Sequence, residues 1–446
     1  MRFALRLSLP DRRGALSAVA SAIGRAGANI VSLDVVGIAD GMAIDDVTVQ
    51  SDVPADILRR AGHLWLASMR LLLVGAFPYP HHHGSQVYFK EQAIALRSAG
   101  AEVSLLTYGS RTNPARISDG EPRTAEYWRA LDGFDHRTAP DWTAPRSRRS
   151  GPSWTKPLAD LGLAVTLRDA VASSNLDDAY DAIVTHNAEA ALIALHTLSK
   201  RRPPVLYCVH TLLKNELSAY LRGPKRQGVL SPLSNSAATG PLSIGLDRVG
   251  FEIDRWLAKR VDGWLSLTQS SERVMRQYSA APGLLAVPPI PDPELDPAPQ
   301  NPKEVAERHG LEHGRFFVYS GNLDGYQELD ILAAAAAELS NRNDRPATIV
   351  VASHTEAPDG LFEGAEAMRG VAFRRVESAK EMQALLSAAR ASLVMRRAVG
   401  GFPIKLVNSL AVSTPVIAFH DREWGLTHER DSLICDRQRP IRAVAD

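Results

Sequence analysis

Residues 391–420 read as a strand, a glycine-bearing turn, a short helix, a proline break and a second strand, and this order constrains the fold more than any other stretch. Ser392, Leu393, Val394 and Met395 make a run short and apolar enough for a buried strand. Gly400 and Gly401 let the backbone turn without a Cβ penalty, and Pro403 suits the first turn of a helix that extends to about Val412. Such a helix aims its free N–H groups and the positive end of its dipole at the turn, and Lys405 adds a full charge there. The expectation is an α/β unit with an anion site built into its strand-to-helix turn.

At 446 residues the chain exceeds what one hydrophobic core usually serves, so two or three domains are expected. A formal charge of +1 and a 45% apolar share describe an ordinary globular protein and give no ground for nucleic-acid binding. Cys208 and Cys435 lie far apart with no C-x-x-C or Cys/His spacing, which predicts neither a disulfide framework nor a zinc site and fits a reducing cytoplasm. His81, His82 and His83 are adjacent loop residues that point different ways, with no carboxylate at helical spacing nearby, so no metal is expected. No run approaches the roughly 18 apolar residues of a membrane span. The expected location is cytoplasmic, with room for work on a lipid-linked substrate at the inner face of a membrane.

The first segment alternates over 3–9, turns at 10–14 and continues in a helical pattern over 15–26 that Gly27 is placed to end. Strands are expected at 29–36 and 42–50, and a helix at 54–62. This β-α-β-β-α order resembles an ACT domain, carried by Asp11, Gly14 and Leu16 at the start of the first helix and by Gly27, Ala28, Asn29 and Ile30 before the second strand. The resemblance covers 1–66. It implies a module that pairs through its sheet into a homodimer and takes an amino-acid effector near the turn, with Asp11, Gly14 and Asn29 as ligand residues.

A new start is visible at Met69 and Arg70, a charged residue ahead of an apolar strand, followed by a glycine-bearing loop, a helix over 86–99, Gly100 and a strand over 103–107. The Arg-, Pro- and Trp-rich stretch 110–156, with Arg146, Arg148 and Arg149, reads as a long surface loop. Helices are then expected at 158–173 and 189–198, and strands at 181–185 and 205–209. These strands deliver His186 with Asn187, and His210 with Thr211, to their carboxyl ends, with Glu216 shortly after; open α/β sheets bind ligands there. A helix over 251–259, a strand over 263–267 and a helix over 270–278 close the unit. The Pro-rich segment 282–302 reads as a hinge. A second α/β set follows, with a strand over 316–319, a turn at Gly321 and Asn322, a helix over 328–339, strands over 348–352 and 371–374, and a helix over 379–389. Two such domains, 69–285 and 286–446, imply a ligand cleft between them.

In order and spacing these pieces resemble the retaining GT-B glycosyltransferases of the family 4 type. The resemblance is carried by the loop 78–85, the pair His210 and Thr211, the Gly321 turn, and the run from Gly401, Phe402, Pro403, Ile404 and Lys405 to Asn408, followed by Thr414 and Pro415. It implies two doubly wound Rossmann-like domains and transfer of a sugar from a nucleotide-sugar donor to a saccharide or lipid-linked acceptor hydroxyl, with retention and without a metal or cofactor. The donor diphosphate would lie at Gly400, Gly401 and Lys405, helped by the N–H groups of Gly84 and Ser85 and by Arg397; Gly321, Asn322, Gln327, Phe402, Pro403 and Ile404 complete the donor side. His210 would sit beside the transferred sugar, and His186, Asn187, Thr211 and Glu216 on the acceptor side. The sequence departs from the family at its acidic pair, where Gly400 and Asn408 stand, and at its arginine and lysine, where Asn322 and Gln327 stand. Those departures define the second reading, a GT-B scaffold that binds nucleotide or sugar without turnover and is regulated through the ACT-like domain.

Overall fold

The computed structural model describes residues 2–10, 28–39, 42–51, 69–79, 84–109, 133–145, 156–173, 179–199, 202–221, 241–286, 301–321, 323, 329–340, 348–354, 370–395, 401–419 and 424–435. The chain opens with a three-stranded sheet of β1 (Arg2–Pro10), β2 (Ala28–Ala39) and β3 (Met42–Ser51) in the order β1-β3-β2. β3 is antiparallel to both neighbours, so β1 and β2 run parallel with β3 inserted between them. A split pair of this kind needs a crossover connection. The helices expected at 15–26 and 54–62 lie outside the described residues.

The second sheet has seven parallel strands in the order β10-β9-β8-β7-β4-β5-β6. They are β4 (Arg70–Pro78), β5 (Glu102–Tyr108), β6 (Asp135–Thr138), β7 (Ala182–His186), β8 (Val205–Val209), β9 (Gly263–Ser266) and β10 (Gly283–Leu285). The helices of this unit are α1 (Gly84–Ser98), α2 (Lys156–Ala172), α3 (Asn187–Thr197), α4 (Leu213–Leu221), α5 (Pro241–Ala258) and α6 (Gln269–Tyr278). Continuous apolar runs mark strands buried on both faces, and β4 is buried from Leu71 to Phe77. Its alternate residues divide the core: Leu71 and Leu73 pack with Phe89 and Ala93 of α1, whereas Leu72 and Val74 pack with Leu163 and Leu167 of α2 and Ala190 and Ala194 of α3.

The third sheet has six parallel strands in the order β13-β12-β11-β14-β15-β16. They are β11 (Phe316–Ser320), β12 (Thr348–Ser353), β13 (Val371–Arg375), β14 (Ala391–Val394), β15 (Val416–Ala418) and β16 (Ser432–Ile434). With them go α7 (Pro302–Arg308), α8 (Leu329–Ser340), α9 (Ala379–Ala388) and α10 (Ile404–Ala411). One face packs on Leu332, Ala335 and Ala336 of α8, the other on Val305 of α7 and Leu385 and Leu386 of α9.

Several segments differ from the sequence expectation. The stretch 110–156 is not loop throughout, because β6 adds to β5 and a 3-10 turn follows at Asp141–Thr143. β6 is a polar edge strand with no apolar run to betray it, and its His136 ring bonds the Thr107 hydroxyl at 2.9 Å. The segment 282–302 likewise begins with edge strand β10 and ends with α7, whose cap Asn301 accepts the Lys303 N–H at 3.1 Å. α5 also starts ten residues ahead of its expected position, where Gly245 and Gly250 weaken the helical signal. Among the described residues no helix is long and apolar enough to cross a membrane.

Each parallel sheet has one point where the chain reverses its direction of winding. In the first it lies between β4 and β7, in the second between β11 and β14. The crevice at the carboxyl ends of such a pair is where doubly wound sheets take ligands. The two units meet near these crevices, where Phe402 and Ile404 of the second pack beside Tyr88, Cys208 and Leu267 of the first.

A candidate nucleotide site at the domain seam

Gly401 stands three residues ahead of α10, and its φ of +64° lies in the left-handed region. A Cβ here would fall 2.7 Å from the Thr211 hydroxyl and 3.1 Å from the His210 carbonyl oxygen, so glycine lets this turn approach the end of β8. α10 then starts at Ile404. Pro403, expected in the first helical turn, stands one residue earlier at the N-cap and supplies no capping side chain. The leading N–H groups of the helix are left to other acceptors.

Lys405 reaches back from α10 toward the carboxyl end of β11. Its ammonium lies 3.8 Å from the centroid of the Tyr319 ring and 3.4 Å from where a Gly321 Cβ would be. Across the seam α1 begins at Gly84, whose missing Cβ would lie 3.6 Å from Ile404 Cγ1. The first residues of α1 and α10 therefore meet, which brings two positive dipole ends together, with Lys405 in the first turn of α10. This is an electropositive corner suited to an anion.

The first domain contributes two histidines. His186 pairs in register with Cys208 on the neighbouring strand, and side chains two residues apart on a strand share a face, so His186, Cys208 and His210 gather on one side of the sheet. His186 Nδ1 and His210 Nε2 are 2.9 Å apart. The Tyr88 ring meets His210 edge-on at 5.0 Å between centroids, and Phe89 meets His186 at 4.8 Å. Burial lowers the His210 pKa to about 3, and burial with the neighbouring His210 holds His186 well below the usual histidine range, so both rings are neutral. The candidate ligand atoms of His186, Cys208 and His210 lie within 4.8 Å of one another. The imidazoles are nonetheless hydrogen-bonded to each other, and burial lifts the Cys208 thiol to about 12, away from the thiolate a metal prefers.

Beside this pair, Asn187 opens α3 with φ +73°, a left-handed residue that makes the strand-to-helix turn tight. Lys156 of α2 pairs with Glu189 of α3. Burial works against its ammonium, but Glu189, Asp160 and Glu216 outweigh it and raise its pKa. Tyr108 donates to Asp160, and burial raises that carboxyl. A half-buried polar cluster therefore stands at the carboxyl edge of the seven-stranded sheet, on the side where Glu216 was expected.

Of the sequence-predicted residues, the structure brings together Gly84, His210, Thr211, Gly321, Gly401, Phe402, Ile404 and Lys405 at the seam. Ser85 and Asn408 are partly buried, Asn408 one turn along α10 from Lys405. Asn29 is exposed on β2 opposite Gln50. Asp11, Gly14, Asn322, Gln327, Arg397 and Gly400, with His81 to His83, lie outside the described residues. Sequence reasoning missed Tyr319, Cys208 and Tyr88. Period-two spacing puts Tyr319 and Cys208 in line with Gly321 and His210, whereas Tyr88 becomes visible only once α1 is docked.

Residues 83–290 match the model of the glycosyl transferase 4-like domain, residues 314–446 that of glycosyl transferases group 1, and residues 3–61 that of the ACT domain. No curated protein matches the chain. Similar solved structures include sucrose-phosphate synthase from Thermosynechococcus elongatus, at 15% identity over 84% of this chain and 88% of that one, with a TM-score of 0.56. HepE from Anabaena in complex with UDP aligns at 14% identity over 84% and 89% with a TM-score of 0.55. A point mutant of TarM from S. aureus, in complex with Fondaparinux, alpha-GlcNAc-glycerol and UDP, aligns at 8% identity over 84% and 92% with a TM-score of 0.55. At these identities the shared property is the fold. The chain has the fold of these glycosyltransferases and carries, in order, an ACT domain, a glycosyl transferase 4-like domain and a glycosyl transferases group 1 domain.

Proposed function

We propose that the protein transfers a sugar from a nucleotide-sugar to an acceptor hydroxyl, holding the donor diphosphate at the seam between its two large domains. The observation that carries this reading is the meeting of the α1 and α10 starts at Gly84 and Ile404, with the Lys405 ammonium beside Gly321. Departure of a nucleoside diphosphate builds negative charge on phosphate oxygens, and prealigned N–H groups with a lysine stabilise that charge at no cost in reorganisation. In this reading they do so in place of a metal ion, and no further cofactor takes part. His210 holds a hydroxyl of the transferred sugar, Asn408 accepts from the ribose, and the leaving diphosphate assists the acceptor on the same face, giving retention. The polar cluster around Lys156, Glu189 and Glu216 faces the acceptor, saccharide or lipid-linked, in the cytoplasm or at its membrane face.

UDP is the first ligand to test, because it occupies the HepE and TarM structures. Calorimetric titration with UDP and with UDP-glucose, and release of glucose from UDP-glucose, should both register in the wild type and fall in Lys405→Ala. Absence of binding by any nucleoside diphosphate would end this reading. A second reading, a scaffold that binds without turnover, is favoured by one observation: Asn408 and Gly400 stand where the family carries its acidic pair. Tight UDP binding without release of sugar from any donor would decide for it. The ACT domain adds an amino-acid effector and pairing into a homodimer to the proposal, tested by stability shifts with free amino acids and by the mass in solution.

A further inference from the structure

We propose that His186 is the positioning residue of the site: its Nδ1–H donates to His210 Nε2 and thereby fixes His210 as an Nδ1–H donor toward a sugar hydroxyl. The identity of that hydroxyl rests on the glycosyltransferase reading, whereas the tautomer is a property of the free protein.

His186 is the last residue of β7, fully buried, and locked in register with Cys208, while the next residue bends away with φ +73°. Its ring is fixed between Phe89, at 4.8 Å, and His210. Two neutral imidazoles 2.9 Å apart share a single proton, which leaves two arrangements. If His210 donates, His186 must carry its proton on Nε2, a buried atom with no hydrogen-bond partner among the described residues. If His186 donates, the atom left over is a bare lone pair. An orphaned buried N–H is the rarer and costlier of the two in folded proteins, so the second arrangement is preferred.

Other groups near the pair do not offer a competing proton acceptor. The Cys208 thiol interacts with the Tyr88 phenol, and burial keeps both protonated. The consequence lies at the other edge of the His210 ring. With Nε2 committed, the remaining nitrogen is Nδ1, and among the described residues none bonds it. His210 sits where β8 ends against the Gly401 turn, and 9% of its surface stays open. A ring with a fixed N–H there orients a hydroxyl by its oxygen; it does not act as a base.

The test uses the full chain labelled with 15N-histidine and long-range 15N–1H correlation, with His210 assigned by its loss in His210→Gln. The expected result is an Nδ1–H tautomer at His210, unchanged between about pH 5.5 and 8.5. His186→Leu should release His210 toward the Nε2–H form that free histidine favours, and His186→Gln, whose amide carries a replacement N–H, should restore Nδ1–H. For sugar release from UDP-glucose, His186→Leu should lower kcat about tenfold with KM unchanged, and His186→Gln should recover most of it. An Nε2–H tautomer at His210 in the wild type overturns the proposal. So does an Nδ1–H signal that persists in His186→Leu, or thiolate-to-metal absorption on adding Co2+, which would make the trio a metal site. If His186→Leu does not fold, the wild type and His186→Gln still decide. Should the tautomer stand and no donor turn over, the enzymatic reading fails and the positioning claim does not.

Discussion

Gly401 stands so close to Thr211 that a Cβ on it would fall 2.7 Å from the threonine hydroxyl oxygen, with the His210 carbonyl oxygen at 3.1 Å. The two residues belong to different domains, so this gap sets how near the α10 start comes to the end of β8. Gly401→Ala adds the clash to the cost of a left-handed φ of +64°, about 1–2 kcal/mol for a residue with a Cβ. The expected outcome is a melting temperature lowered by several degrees and UDP affinity reduced about tenfold, read by thermal melts and calorimetry. Wild-type affinity in this variant would mean that the close approach plays no part in the nucleotide site.

Lys405 brings a full charge to the seam, held over Tyr319 at 3.8 Å. Replacing it with methionine keeps most of the aliphatic stem and removes the ammonium. A charge-assisted hydrogen bond to phosphate contributes about 1.5–3 kcal/mol, so Lys405→Met should weaken UDP binding by roughly ten- to a hundredfold. The unliganded protein should lose at least the cation–π contact with Tyr319, about 1 kcal/mol. Calorimetry at two salt concentrations checks the assignment: the wild type should weaken with salt and the variant much less. Equal salt dependence in both would place the phosphate elsewhere.

The two doubly wound domains were legible because parallel strands buried on both faces leave continuous apolar runs, as in β4 and β12, and because Gly100, Gly321 and Gly401 punctuate the turns. The start of α10 was legible too, because Gly401, Pro403 and Lys405 are local signals. What escaped was held by partners distant in the chain. β6 is polar and exists because β5 offers an edge; α5 hid behind two glycines; and the His186–His210 contact needs strand register, which no local pattern encodes. Asp254 escaped as a cap because the N–H groups that donate to its carboxylate lie about forty residues away in the chain.

That carboxylate makes a pH prediction. Asp254 is 1% exposed and accepts the N–H groups of Leu213 at 3.0 Å and Lys214 at 3.1 Å, at the start of α4. Burial pushes its pKa up to about 6 from an ordinary 3.8, although the two backbone bonds pull the other way. A folded-state value above the unfolded one means that the folded protein binds the proton more tightly. The associated stability is full below about pH 4 and is lost as pH rises through about 6, a change of roughly 3 kcal/mol. Measured by urea denaturation, the stability of the wild type relative to Asp254→Asn should fall by that order between about pH 4 and 7.5. A difference that stays flat would show that Asp254 does not titrate in this window.

Gly250 explains how Asp254 reaches those N–H groups. The two residues are one turn apart on α5 and face the same way, toward the first turn of α4. A Cβ on Gly250 would lie 2.6 Å from both the Leu213 carbonyl carbon and the Lys214 nitrogen, and these are backbone atoms that cannot rotate aside. Helix propensity alone favours alanine over glycine by about 1 kcal/mol. Overpacking against a fixed backbone costs about 1–3 kcal/mol, and displacing α5 also stretches the Asp254 bonds, each contributing about 1 kcal/mol or more. The contact therefore decides the sign, and Gly250→Ala should destabilise the protein by about 2 kcal/mol in urea denaturation. Gly245 on the same helix is the internal control. Among the described residues nothing lies within 4 Å of its Cβ position, so Gly245→Ala should be neutral or stabilising by up to about 1 kcal/mol. If the glycine at 250 acts by letting Asp254 approach, its effect should shrink in an Asp254→Ala background, where no bond is left to stretch. Equal effects in both backgrounds would separate the two residues and leave Gly250 as a packing requirement alone.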